Sequence, residues 1–288
     1  MAQYLPILYA IAALGGLGIL FGIVLGLADK KFAVEVDERV SAVRSVVAGA
    51  NCGACGYAGC DAYAAAVVRG EAAANACTPG GAKTVKAIAA IMGVSAEAQE
   101  PMVARVRCQG DCERVTTRYD YSGVHSCRAV SGIAGGPNAC EFGCVGFGEC
   151  VSVCAFDAIT LVDGIAVIDD DVCTGCGMCV GVCPRNIIHM LPKDQTIVVM
   201  GRNEAIGRIA RLQCKTACVG CKRCEKACPT ESIKVVKGVA VIDETTCTRC
   251  GACVPTCPMH CIVNFSERNM EAVAAVTAQA ELNEIEIP

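Results

Sequence analysis

The distribution of apolar and polar positions divides the chain into unlike parts. Leu5 to Ala28 carries no charged side chain, and at 1.5 Å per residue it predicts a helix of roughly 36 Å, enough to cross a hydrocarbon core with some tilt. A cleavable leader is the competing reading, but no Lys or Arg precedes the run, it is longer than a leader's apolar region, and no small-residue cleavage site ends it. It is therefore read as a permanent anchor. Lys30 and Lys31 follow it, which places the remaining body in the cytoplasm and the N-terminus outside. Gly18, Gly22 and Gly26 recur every fourth residue, a face on which another membrane helix packs closely.

Residues 29–50 read as a charged connector. From Asp61 to Gly93 apolar residues recur at helical spacing (Ala62, Ala65, Ala66, then Val85, Ile88, Ala89), predicting two short helices separated by Thr78-Pro79-Gly80-Gly81. Met102 to Arg107 alternates as a short strand does, and residues 108–139 are loop-like. Beyond them lies an internal repeat. A shift of 74 residues superposes Cys140, Cys144, Cys150, Cys154, Cys173, Cys176, Cys179 and Cys183 on Cys214, Cys218, Cys224, Cys228, Cys247, Cys250, Cys253 and Cys257. Gly164 falls on Gly238, and the alternating segments Ile165–Asp169 and Val239–Asp243 coincide as hairpin strands. Residues 266–288, with five Glu and no Cys, read as a surface helix.

The chain has 288 residues, 25 of them Cys, no Trp and an aromatic share of 4%. So few large side chains build only narrow cores, and something other than packing must staple the fold. The net charge of −4 argues against a nucleic-acid binder. A disulfide framework suits short exported chains; a cytoplasmic body favours reduced thiols and metal clusters. Neither a GxGxxG turn after a strand nor a GxxxxGK[ST] loop is present, so no nucleotide site is visible.

The cysteine spacing names the cofactor. Cys218, Cys221, Cys224 and Cys228-Pro229, then Cys247, Cys250, Cys253 and Cys257-Pro258, form the two-cluster ferredoxin run, in which three thiolates hold one cubane and the fourth reaches its neighbour. This assigns Cys218, Cys221, Cys224 and Cys257 to one [4Fe-4S] cluster and Cys247, Cys250, Cys253 and Cys228 to the next. In the first repeat Cys173, Cys176, Cys179 and Cys154 make the matching set. The other half is defective: Phe147 stands where Cys221 would fall, leaving Cys144, Cys150 and Cys183, with Cys140 as the nearest substitute. Cys52, Cys55, Cys60 and Cys77 suit a fifth cluster, for which zinc is the rival. A sixth falls on Cys108, Cys112 and Cys127, with Cys140 or Cys214 as its fourth ligand. Cys261 aligns with Ile187 and reads as a small core residue; His125, His189 and His260 share no ligand spacing.

The uncharged N-terminal span, the stretch Asn51 to Cys60, the segment Tyr119 to Gly123 with Cys127, and the tandem ferredoxin modules together resemble the B subunit of the Rnf electron-transport complex. The resemblance implies a membrane machine coupling electron flow between reduced ferredoxin and NAD to Na+ or H+ translocation. This subunit would receive electrons from soluble ferredoxin and pass them to other Rnf subunits. A polyferredoxin subunit of another membrane oxidoreductase or hydrogenase, and a structural zinc scaffold, are the alternatives. The expected organisation is α+β: an anchor at 1–28, a linker and small helical cluster domain at 29–100, a cysteine-bearing connection at 101–139, ferredoxin-like modules at 140–213 and 214–265, and a tail at 266–288. Arg202, Arg208, Arg211, Lys215, Lys222, Arg223 and Lys226, opposed by Glu204 and Glu225, offer a docking surface for an acidic ferredoxin.

Overall fold

The computed structural model describes residues 5–32, 37–205 and 207–265; the expected C-terminal helix lies outside them. Helix α1 runs Leu5–Phe32. Its described side chains run continuously from Leu14 to Ala28, and among the described residues no helix is long and apolar enough to cross a membrane. Leu14, Leu17, Ile19, Leu20, Phe21, Ile23, Val24, Leu25 and Leu27 are all more than half exposed.

The region read as a connector contains α2 (Glu38–Val46), started by Asp37, whose side chain accepts from the Arg39 amide. It packs on α3 (Cys60–Val68) and α4 (Gly81–Met92), the two helices expected from periodicity. A 3-10 turn at Thr78–Gly80 precedes α4, and Gly93 ends it in the left-handed conformation. Val43, Tyr63, Ala64, Val67 and Ile88 fill the space between these helices. The Tyr63 hydroxyl donates to the Ala73 carbonyl at 2.9 Å, and Thr84 Oγ1 to the Val46 carbonyl at 2.8 Å, so the buried hydroxyls keep partners.

The remainder is two ferredoxin-like modules in tandem. The first contains β1 (Met102–Val106), α5 (Cys127–Gly132), α6 (Glu149–Ser152), β2 (Ile159–Val162), β3 (Ile165–Ile168), α7 (Met178–Val182) and β4 (Ile188–Pro192). The second contains β5 (Ile197–Val199), α8 (Gly207–Gln213), α9 (Arg223–Ala227), β6 (Ile233–Val236), β7 (Val239–Ile242), α10 (Cys253–Thr256) and β8 (Ile262–Asn264). Each has an antiparallel hairpin, β2 with β3 and β6 with β7. Asp163-Gly164 and Lys237-Gly238 turn them, all four residues at positive φ, the conformation that tight hairpins require. Each also has a second pair, β1 with β4 and β5 with β8, Met102 opposite Pro192 and Ile197 opposite Asn264. The first strand of each pair lies ahead of the cysteine repeat, because the last strand of each module needs a hydrogen-bonding partner that the repeat does not supply. A cut between 213 and 214 therefore falls inside the second structural unit.

The modules meet along β1 and its continuation. Arg105 is 1% exposed, forms an ion pair with Asp170 of the first module, and lies 3.9 Å from the centroid of the Phe265 ring, which follows β8. Arg107 Nε donates to the Val199 carbonyl at 3.4 Å, and Gln109 Nε2 to the His260 carbonyl at 2.6 Å. Cys108 bridges Gly201, and Val115 bridges Cys214.

Candidate metal centres

In the second module the predicted thiols converge as two sets. Cys218, Cys221, Cys224 and Cys257 line one cavity, and Cys228, Cys247, Cys250 and Cys253 another. Helix α9 carries Cys224 and delivers Cys228 across to the neighbouring set. Gly220 makes the first loop possible. Its φ is +65°, and a methyl there would lie 2.9 Å from the Gly238 carbonyl oxygen, so only glycine lets the loop lie on the hairpin turn. The hairpin answers with an amide, since Ala240 N donates to Cys218 Sγ at 3.4 Å. Burial pushes the Cys224 and Cys253 thiols up to about 11. Cys257 and Cys218 go the other way, to about 5 and about 6, the neighbouring Cys261 thiol being the first cause for each.

The first module repeats the plan with one exchange. Cys154, Cys173, Cys176 and Cys179 line one cavity. The other is lined by Cys144, Cys150, Cys183 and Cys127; Cys140, the substitute suggested by proximity in sequence, is not in its wall. Phe147, which occupies the missing ligand's position, supplies the physical reason. Its ring meets those of Tyr121 and His125 edge-on, with centroids 5.6 and 5.5 Å away, and so docks the 121–127 segment over the cavity. Ser126 caps α5, accepting from the Ala129 amide and donating to Glu149 of α6. Cys127 is thereby buried at the start of α5.

Cys140 lies instead at the seam between the modules. A methyl on Gly143 would be 3.5 Å from Cys108 Sγ and 3.6 Å from Cys140 Sγ. One on Gly110 would be 3.3 Å from Cys214 Sγ and 3.7 Å from Cys108 Sγ. Cys108, Cys140 and Cys214 are all buried, and Cys112 follows on the same loop as Cys108. Cys127 thus lines the first module's cavity, while both alternative fourth ligands, Cys140 and Cys214, lie near Cys108. Asn203, 1% exposed, donates from Nδ2 to Cys140 Sγ at 3.5 Å and to Gln213 Oε1 at 2.7 Å. Burial pushes the Cys108 thiol up to about 12.

Nearer the N-terminus, Cys60 opens α3 and Cys77 leads into the 3-10 turn, and both pack with Cys55 in the core around Tyr63. Asn51 Oδ1 accepts from the Cys60 amide at 2.8 Å, which closes the Cys52–Cys60 loop. Burial pushes the Tyr63 hydroxyl up to about 12, with the Cys77 and Cys55 thiols adding to the effect. Burial likewise raises the Cys176 thiol, with a smaller contribution from Cys52. Among the described residues no three ligand side chains close on a single metal ion.

An Fe-S cluster family matches residues 48–79, and 4Fe-4S dicluster domains match 139–187, 217–261 and 172–233. The chain is 46% identical over 257 residues to the B subunit of the Na+-translocating ferredoxin:NAD+ oxidoreductase complex of Acetobacterium woodii, covering 89% of this chain and 77% of that one. It belongs to the family of Rnf B subunits. Other relatives in that family are the B subunit of the ion-translocating oxidoreductase complex of Methanosarcina acetivorans, 39% identical over 88% of this chain and 96% of that one, and its counterpart in the proton-translocating ferredoxin:NAD+ oxidoreductase complex of Clostridium ljungdahlii, 40% identical over 85% and 88%. Residues 80–138, which hold Cys108, Cys112 and Cys127, lie outside the matched domain ranges. In this Rnf protein the one sequence signal for the use of Cys127 was Phe147 in a ligand's place, with Tyr121 and His125 just ahead of Cys127.

Proposed function

We propose that this chain is the membrane-anchored electron relay of an Rnf-type complex, which couples electron transfer between ferredoxin and NAD to ion translocation. The observation that carries this reading is the convergence of cysteines on four cavities, 154/173/176/179, 127/144/150/183, 218/221/224/257 and 228/247/250/253. With 52/55/60/77 and 108/112/140/214 as the two further sets of this reading, six sets of four take all but Cys261 of the 25 cysteines. Four thiolates per set, aligned backbone amides and apolar walls are what a [4Fe-4S] cluster takes from a protein. When bound, each cluster carries one electron at a time.

The residues present do the rest. Cys108 Sγ accepts from the Cys144 amide, and Cys214 lies four residues ahead of Cys218, so the seam set adjoins a set in each module; a step from the Cys52 set to the Cys176 set completes the proposed relay. Val106, Ile187 and Ile188 give the Cys127 set apolar walls, and Ile233 and Ile242 do so for the Cys247 set. Support for the anchor is the exposure of large apolar residues on all sides of α1, a distribution suited to lipid. Lys30 and Lys31 put the relay on the cytoplasmic side, where soluble ferredoxin reaches it. Na+ and H+ both occur in the names of the relatives, and Leu5 to Ala28 offers neither ion a charged side chain.

Iron and acid-labile sulfide analysis of the full chain, purified without oxygen, is expected to give about 24 of each per chain. Stoichiometric zinc with little iron would overturn the relay. A membrane-impermeant label is expected to reach a tag at Met1 from outside and to leave the cysteine-rich body unmodified; the opposite sidedness would overturn the topology.

A further inference from the structure

The one cysteine outside the six sets is not packed away from them. Cys261 is 1% exposed and lines the same cavity as Cys218, Cys221, Cys224 and Cys257. Its sulfur is 3.5 Å from Cys257 Sγ, within hydrogen-bonding distance. The chain carries its own control for this arrangement. Ile187 holds the equivalent position in the first module, is 2% exposed, and lines the Cys127/144/150/183 cavity. Backbone donors are matched in the two places. Cys144 accepts from the amides of Ala166 and Gly146, and Cys218 from those of Ala240 and Gly220. What the second module adds is a side-chain donor.

We propose that Cys261 is not a ligand but a positioning residue, whose S–H donates to the ligand sulfur of Cys257 and raises the reduction potential of that one site. The inference rests on the relay reading above. Reduction places extra negative charge on the ligand sulfurs, so a donor aimed at them stabilises the reduced state more than the oxidised one. An isoleucine at this position gives no such preference. The site in the second module therefore holds its electron more tightly than the Ile187 environment would allow, which makes it a resting point beside the seam.

The test uses the full chain with its clusters loaded, titrated potentiometrically and followed by EPR. C261A is expected to leave iron and sulfide unchanged and to lower one midpoint, by about tenfold in the reduced-to-oxidised ratio at fixed potential, or about 59 mV for one electron. C261S, which keeps a donor, is expected to restore most of that shift. I187C should raise the midpoint of the corresponding first-module site, and it keeps the idea testable should C261A fold poorly. Loss of about four irons in C261A would make Cys261 a ligand and overturn the proposal. So would full iron with no midpoint moved in either C261A or I187C. Absence of iron from the unmutated chain is a different failure, because it would remove the relay itself.

Discussion

Arg105 is the residue whose removal should most destabilise the first module and its contact with the Phe265 ring of the second. Replacing it by Met keeps much of the side chain's length and its apolar contact with the Phe265 ring, while deleting the charge. The ring lies 3.9 Å from the guanidinium carbon, and such a stack contributes about 0.5–2 kcal/mol. The larger effect is on Asp170, whose side chain is 14% exposed and loses its partner. Breaking a buried pair from one side costs about 3–5 kcal/mol, because an uncompensated charge is left behind. R105M should therefore destabilise the chain by about 3–5 kcal/mol, roughly a hundredfold or more in the folded-to-unfolded ratio. D170N alone should cost a comparable amount, since it leaves the 1% exposed Arg105 guanidinium without its carboxylate. The double variant R105M/D170N should recover most of the R105M loss. Anaerobic unfolding in guanidinium, followed by circular dichroism and by the visible absorption of the clusters, measures all three against the unmutated chain. If R105M changes stability by less than about 1 kcal/mol, or the double variant is no better than R105M, the Arg105–Asp170 pair does not stabilise the fold in this way.

Two further outcomes address the site. C127A and C140A should each lower iron by about four per chain while affecting different EPR signals, C127A matching C144A and C140A matching C214A; a C140A spectrum that matched C144A would return Cys140 to the first module. Lys222, Arg223 and Lys226 are exposed and join none of the ion pairs among the described residues, so K222E/R223E/K226E should slow reduction by ferredoxin about tenfold or more at low salt, converging with the unmutated rate at high salt; a loss of clusters without that salt dependence would show that these cations balance charge locally.

Much of this architecture was legible where the deciding information is local. The CxxCxxCxxxCP runs fixed three of the four ferredoxin-type sets, since their geometry depends on loops of a few residues, and the period-2 segments at Ile165 and Val239 became β3 and β7. The helices α3 and α4 followed from spacing and from the turn between them. What was missed depends on contacts distant in sequence. Cys127 takes the place assigned to Cys140 because the Phe147 ring docks a segment some twenty residues upstream, and spacing carries no record of that. Strand β5 falls within the range assigned to the first module but pairs with the second. Cys261 aligned with an isoleucine and so read as a core residue; burial was right, and the thiol's contacts were invisible without the fold. Helix α2 is a nine-residue helix with a single buried side chain, Val43, too weak an apolar stripe to stand out from its charged surroundings.

Tandem ferredoxin modules joined by a short linker would ordinarily behave as beads that pivot, and the gap between them would open and close with thermal motion. Here Cys108 and Cys140 enter the seam from the first module's side and Cys214 from the second's. A cluster held by all of them is a crosslink as well as a carrier. Repetition of a module does not by itself connect the copies electrically; Cys108, after β1, together with Cys140 and Cys214, which hold the same place in the two repeats, would form a joint that neither copy could form alone. The conductor and the rivet are then the same object, and the spacing on which electron tunnelling depends is set by coordination bonds rather than left to the flexibility of a linker.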